Sequence, residues 1–231
     1  MTTPTVKEVL SSSQSEGGAS VVLLGAGTAI GDVVYCFWVD NFDTMAEMTT
    51  PALGTGGTWN LEGSADKGSN LPHIQLWTIT ISTPGINSVT VTDPGDPSEV
   101  YQITYVISGV STINDGFSTR VEPSSGTTLV IPTLTPGGSD DLLLAAYYAH
   151  PSTTNWTVAS GMTNGLEEET ASFGTMGSAR QVLGAGATET RTFTTSNTRT
   201  NRIGIMVAVA GAAAAKAPAP IRRGIRSLLV R

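Results

Sequence analysis

Cysteine is almost missing from this chain. Only Cys36 occurs among 231 residues. No intrachain disulfide can form, which excludes a small secreted fold held by cross-links. Inside an apolar run, Cys36 reads as a buried structural thiol. The only histidines are His73 and His150. They form no H-x-H or H-x-x-x-H pair, so a transition-metal centre has no ligand pattern to start from. Charged residues are 13% of the chain and aromatics 6%. No apolar run approaches the ~18 residues of a membrane span, and the longest, Ile203 to Ala215, is interrupted by two glycines. The N-terminus, MTTPTVKEVL, has no basic region followed by an apolar one, so neither a signal peptide nor membrane insertion is expected. Helical periodicity over ten or more residues is also missing before residue 212.

What is present is turn chemistry and short apolar runs. Gly counts 26 and Pro 12, and Ser and Thr are frequent throughout. Strand-like segments recur every ~8–12 residues, which is the pattern of an all-β sandwich or jelly roll rather than of βαβ units. Gly31 to Val39 (GDVVYCFWV) is a turn followed by an unbroken apolar run, as expected of a strand covered on both faces. Asp140 to Tyr148 (DDLLLAAYY) repeats the design, and each run is followed by a loop and a tryptophan, Trp59 or Trp156. The chain is therefore expected to hold two pseudo-repeated β halves, about 20–110 and 127–211. Residues 1–19 are expected to be an extended arm with a short strand at Val6 to Leu10. Asn114 to Gly126 reads as a crossover, and Gly161 to Thr170 as a Gly/Glu-rich loop.

Charge is divided unevenly. All 19 acidic residues precede Gly211, against seven of the 12 basic ones; Lys216, Arg222, Arg223, Arg226 and Arg231 follow it. An acidic body argues against nucleic acid as a partner. A basic end on an acidic body suits docking on another acidic protein surface. Residues 212–220 read as a linker. In 221–231, Ile221, Ile225, Leu228 and Leu229 share one helical face, with Arg222, Arg223 and Arg226 off it. A short helix formed on docking is expected there.

Catalytic patterns are weak. Gly25, Gly27 and Gly31 are followed by a strand, where a dinucleotide-binding turn needs a helix N-terminus. No G-x-S-x-G elbow accompanies the Ser, His and Asp residues. Asp93, Asp96 and Glu99 offer oxygens for calcium, but Asp-Pro-Gly-Asp-Pro is simpler as a turn. Asp32 and Asp141 open the two apolar runs. They could be a facing carboxylate pair of a glycosidase, and are read here as turn residues at strand starts. Trp59, Trp77 and Trp156 are candidates for a sugar-stacking platform. No cofactor, metal or catalytic residue is expected.

Several segments together resemble a family. They are Gly31-Asp32-Val33-Val34 with Phe37-Trp38-Val39, then Gly56-Gly57-Thr58-Trp59, the Trp77 strand, and Val106-Ile107-Ser108-Gly109-Val110. A second copy runs through Asp140 to Trp156 and Ile203 to Gly211. The pattern resembles the Thr/Gly-rich β modules of minor tail and decoration proteins of tailed phages of actinobacteria, over about residues 20–211. It departs where Thr58-Trp59 and Asn155-Trp156 stand for the usual Gly-Trp. The resemblance implies a non-enzymatic virion protein, most readily a minor tail or tail-tip protein that self-assembles through its ends. Other tail or capsid subunits would be its partners. A capsid decoration protein, or a carbohydrate-binding module for host-surface glycans, is the alternative.

Overall fold

A computed structural model describes residues 3–14, 18–40, 49–68, 72–83, 87–92, 99–122, 124–138, 140–151, 154–170, 174–184 and 189–212. The first half of the chain supplies β1 (Thr5–Gln14), β2 (Ala19–Leu24), β3 (Val33–Asp40), β4 (Ala52–Leu53), β5 (Asn60–Asp66), β6 (His73–Thr80), β7 (Asn87–Thr92) and β8 (Val100–Ser108). The second supplies β9 (Val110–Glu122), β10 (Gly126–Leu134), β11 (Leu142–His150), β12 (Trp156–Thr157), β13 (Thr163–Thr170), β14 (Gly174–Val182), β15 (Glu189–Arg199) and β16 (Asn201–Gly211). No helix occurs among the described residues.

These strands make four antiparallel sheets. The first half gives β1-β8-β3-β6-β5 and β2-β7-β4, and the second gives β9-β16-β11-β14-β13 and β10-β15-β12. Adding eight to each strand number of the first pair of sheets produces the second pair. The register repeats as well. Val33 lies opposite Thr80 and Ile107, and Leu142 lies opposite Val182 and Val209. Val33 and Leu142 are thus equivalent positions.

Three apolar clusters separate the layers. Val34, Cys36 and Trp38 of β3 pack with Val22, Leu24, Val89 and Val91 of the small first sheet. Leu143, Ala145 and Tyr147 of β11 pack with Leu129, Ile131 and Phe193 of the small second sheet. The alternate residues Val33, Tyr35, Phe37 and Val39 meet Leu142, Leu144, Ala146 and Tyr148 in the third cluster, between the two large sheets. The order of layers is therefore three, five, five and three strands. This explains why β3 and β11 are apolar without alternation. Both their faces are covered, and all eight residues of β3 are buried. Each fully buried aliphatic or aromatic side chain there contributes about 1.5–3 kcal/mol of burial free energy. Close approach between the halves also requires a glycine. A Cβ on Gly63 of β5 would lie 1.9 Å from Cζ of Phe117 on β9.

Four expectations need correction. The strand expected at Val6 to Leu10 is present but longer, and residues 5–14 are not an arm: they form β1, an edge strand paired with β8 from Thr5–Ser108 to Gln14–Val100. Its polar sequence reflects one-sided cover, and Lys7 sits at a bulge. Residues 114–122 are not a crossover but part of β9, paired with β16, with Asn114-Asp115-Gly116 at a register shift rather than a turn. The Glu-rich segment is β13, an edge strand whose Glu168 accepts from Ser11 and Ser13 of β1. The repeats therefore run from β1 to β8 and from β9 to β16. Finally, the tryptophan echo misleads. Asn60 lies opposite Thr78 and Thr163 opposite Arg180, so the counterpart of Trp59 is Met162, while Trp156 begins β12. The docking peptide with Ile221, Arg222, Arg223, Ile225, Arg226, Leu228 and Leu229 lies outside the described residues.

Candidate functional site

Each central strand is entered through a turn closed by an aspartate. Asp32 Oδ2 accepts from the Ala29 amide at 2.7 Å, and its carbonyl accepts from Ile81 N at 2.8 Å. Asp141 Oδ2 accepts from the Gly138 amide at 3.2 Å, and its carbonyl accepts from Leu183 N at 2.7 Å. In both cases the amide lies three residues upstream. The carboxylates face different neighbours. Lys7 Nζ reaches Asp32 Oδ2 at 2.7 Å and also donates to Gly27 O at 3.0 Å. The residue placed like Lys7 in the second half is Asp115, just before Gly116, which pairs with Ala208 as Glu8 pairs with Val106. Asp115 Oδ2 accepts from Gly137 N at 2.6 Å. The carboxyl of Asp141 is held above the usual range, first by burial and next by its contact with Asp115. The Asp32 and Asp141 carboxylates belong to different layers and different turns, so they do not face one another as a hydrolytic pair.

The tryptophans do not form a platform. Trp59 and Trp156 are 8% and 6% exposed and belong to separate cores. The Trp156 ring stands 4.7 Å from that of Tyr147, and its Nε1 donates to Thr175 O at 3.2 Å. Trp77 is half-buried beside the first outer core, with Nε1 on Gln75 Oε1 at 2.6 Å. Buried rings leave no free face for a sugar, and these three do not share a surface.

A polar cluster, not anticipated from the sequence, lies between the large sheets at one end. Tyr101 donates to Glu99 Oε2 at 2.7 Å, and its ring lies 5.1 Å from that of Tyr148. Burial, then Tyr101, Glu99 and Asp40, push the Tyr148 hydroxyl well above its ordinary pKa. His73 Nδ1 contacts Asp66 Oδ1 at 2.7 Å. Asp40, His73 and Glu99 are 0–2% exposed, so the cluster acts as polar packing rather than as an open cleft. Of the suggested calcium ligands, Asp93 and Asp96 lie outside the described residues and Glu99 is turned into this cluster. The signal for the cluster was the acidic or histidine residue at each strand end, which looks the same in sequence whether it points in or out. His150 ends β11 half-buried, with its pKa lowered by burial and by Lys67. Cys36 is buried and its thiol is pushed up to about 12 by desolvation, an unreactive state.

The outer faces of the small sheets carry apolar and hydroxyl side chains. β2, β7 and β4 contain no charged residue, and Val21 and Leu23 stand exposed on that face. Thr128, Thr192 and Thr194 occupy the corresponding face of the second small sheet.

No protein-family model matches the chain, no curated protein matches it, and no solved structure matches it.

Proposed function

We propose that this chain is a structural protein of a bacteriophage virion, a minor tail or tail-tip component, built from two jelly rolls and assembling through its terminal segments. We read each half as a jelly roll because β1-β8-β3-β6 set against β2-β7-β4 follows that wiring, with β5 added to the larger sheet. Jelly rolls are a recurrent plan of viral capsid and lectin domains. The observation that carries the reading is this wiring occurring twice, back to back, in one chain. It is a fold-level analogy, which suggests a class of protein and not an activity. Support comes from the sequence resemblance to tail and decoration modules and from the uncharged outer faces. An acidic body with a basic end, suited to docking, adds to it. Ile221, Ile225, Leu228 and Leu229 would be the anchors of a helix formed on a neighbouring subunit, with Arg222, Arg223 and Arg226 guiding the approach. The protein would not be an enzyme. A capsid decoration protein would use the same parts on the head. The glycan-binding alternative loses Trp59 and Trp156 to the cores, which leaves Trp77 without a partner ring for a platform. Labelling the protein in intact particles tests the reading. Signal at the tail supports it, signal on the head moves it to decoration, and absence from particles ends it. Deleting 217–231 should abolish incorporation while the body still folds.

A further inference from the structure

We infer that the cavity beside Arg180, between the two large sheets, binds the carboxylate of a small monocarboxylic acid with a short apolar body. The inference goes beyond the virion reading and does not depend on it.

The first ground is the arginine. β14 alternates without a bulge, with Met176 in the core between the large sheets and Ala179 in the outer core, so Arg180 points toward the first half. It pairs with Leu144 on β11 and Thr163 on β13. Burial raises the hydroxyl of Tyr105, on β8 of the first half, to about 12, and Ser178 and then Arg180 act against that rise. No hydrogen bond or ion pair engages the Arg180 guanidinium among the described residues. The half-buried guanidinium presents a planar fork of donors, which a carboxylate matches with two parallel bonds.

The second ground is the space. The wall of a cavity of about 310 Å³ includes Arg180 with Thr5, Val6, Leu142, Thr163 and Val182. Small-ligand sites begin at about this size, roughly 300 Å³. Val6, Leu142 and Val182 give the cavity an apolar side, and Thr163 brings a hydroxyl. Thr5, Thr163 and Val182 are exposed, so the cavity opens to solvent. None of the described residues lining it is acidic. One positive charge beside an apolar wall suits a monoanion on an apolar stem. A dianionic phosphate would bring a second charge with no partner there.

The third ground is the comparison of the halves. Thr78 on β6 is the counterpart of Arg180, since Tyr35 lies opposite Thr78 as Leu144 lies opposite Arg180. In the first half a carboxylate of the protein itself closes this place. Glu62, in a bulge of β5, accepts from Thr78 Oγ1 at 2.6 Å and from Asn114 Nδ2 of β9 at 3.2 Å. The corresponding bulge of β13, between Asn164 and Glu167, holds Gly165 and Leu166. The second half thus has a charged donor where the first has Thr78, and no carboxylate where the first has Glu62.

The test uses the full chain in low salt, with hexanoate as the probe, followed by chemical-shift titration in NMR. Hexanoate should saturate a single site with a Kd on the order of 1 mM, and 1-hexanol, which lacks the charge, should bind far more weakly. Arg180→Met should weaken hexanoate binding about 10–100-fold. Thr163→Glu sets a carboxylate directly across from Arg180. It should weaken hexanoate binding likewise while raising the melting temperature, which separates loss of the site from loss of the fold. The inference is overturned if hexanoate shows no saturable binding, if either variant binds it as the unmutated chain does, or if hexanol binds as tightly. It is equally overturned if inorganic phosphate binds at Arg180 more tightly than hexanoate does.

Discussion

At the turn into its central strand, the first half sets Lys7 against Asp32, whereas the second half sets Asp115 against Asp141. The two turns share their backbone bonds, their burial and their place in the sheet. The contrast continues across the outer cores. Cys36, Gln102 and Thr104 give the first a hydrogen-bonded polar patch, with Gln102 Nε2 on Thr104 Oγ1 at 3.0 Å. The counterparts in the second are Ala145, Gly204 and Met206, which need no such pairing. Trp59 is matched by Met162. The strand plan is thus set by which faces must be covered, while the residues that cover them are free to diverge as long as volume and hydrogen bonding are met. An ionic partner behaves differently, because losing it leaves a buried carboxylate that must be neutralised elsewhere.

Substitutions can break this comparison, beginning with the interface between the halves. Phe37 and Ala146 occupy equivalent positions there. Phe37→Ala should cost about 3–5 kcal/mol in urea unfolding, while Ala146→Phe should cost about 1–3 kcal/mol by overpacking. Equal effects would mean that the two positions are not sandwiched between the same pair of sheets. Gly63→Val should cost about 1–3 kcal/mol by collision with Phe117, and Phe117→Ala in the same chain should recover part of it. An additive result would separate β5 from β9. Lys7→Met strands the buried Asp32 and should cost about 1–3 kcal/mol, reduced by the partial exposure of Lys7.

A smaller effect concerns pH. Burial and the neighbouring Asp115 raise the pKa of the Asp141 carboxyl, so the folded protein holds that proton more tightly than the unfolded chain does. The stabilisation is complete below the ordinary aspartate value of about 3.9 and is lost as pH rises through the folded-state value. Stability measured by denaturant midpoint should therefore decline over that window, and Asp141→Asn should flatten the decline. A decline that survives Asp141→Asn would assign it to another group. Smallest of all, Leu23→Thr on the exposed face of β2 should change stability by less than about 0.5 kcal/mol.

Much of this arrangement was legible in the chain. β3 and β11 were visible because burial on both faces writes an unbroken apolar run. The all-β class followed from turn spacing, and the doubling from the resemblance of those two runs. The edge strands β9 and β13 were hidden, and β1 was legible only over Val6 to Leu10, because an edge strand covered on one side tolerates Ser, Asn and Glu and looks like a loop. The tryptophan pairing failed for a related reason: a large side chain can fill an outer core from several places along the strand plan, so identity of residue is a poor guide to equivalence of position. The contrast between Lys7 and Asp115 was invisible, since Asp115 sat in a segment that read as a turn. Only the register of β9 on β16 places it opposite the role of Lys7.

The central claim is that two identically wired halves share one core, large sheet against large sheet. Amide hydrogen exchange of the full chain, followed by mass spectrometry across both halves, tests it directly. The account predicts that β3, β8, β11 and β16 form one slowest-exchanging set, with a common opening free energy that Phe37→Ala lowers equally in all four. Exchange in which Phe37→Ala accelerates β3 and β8 but leaves β11 and β16 untouched would contradict it.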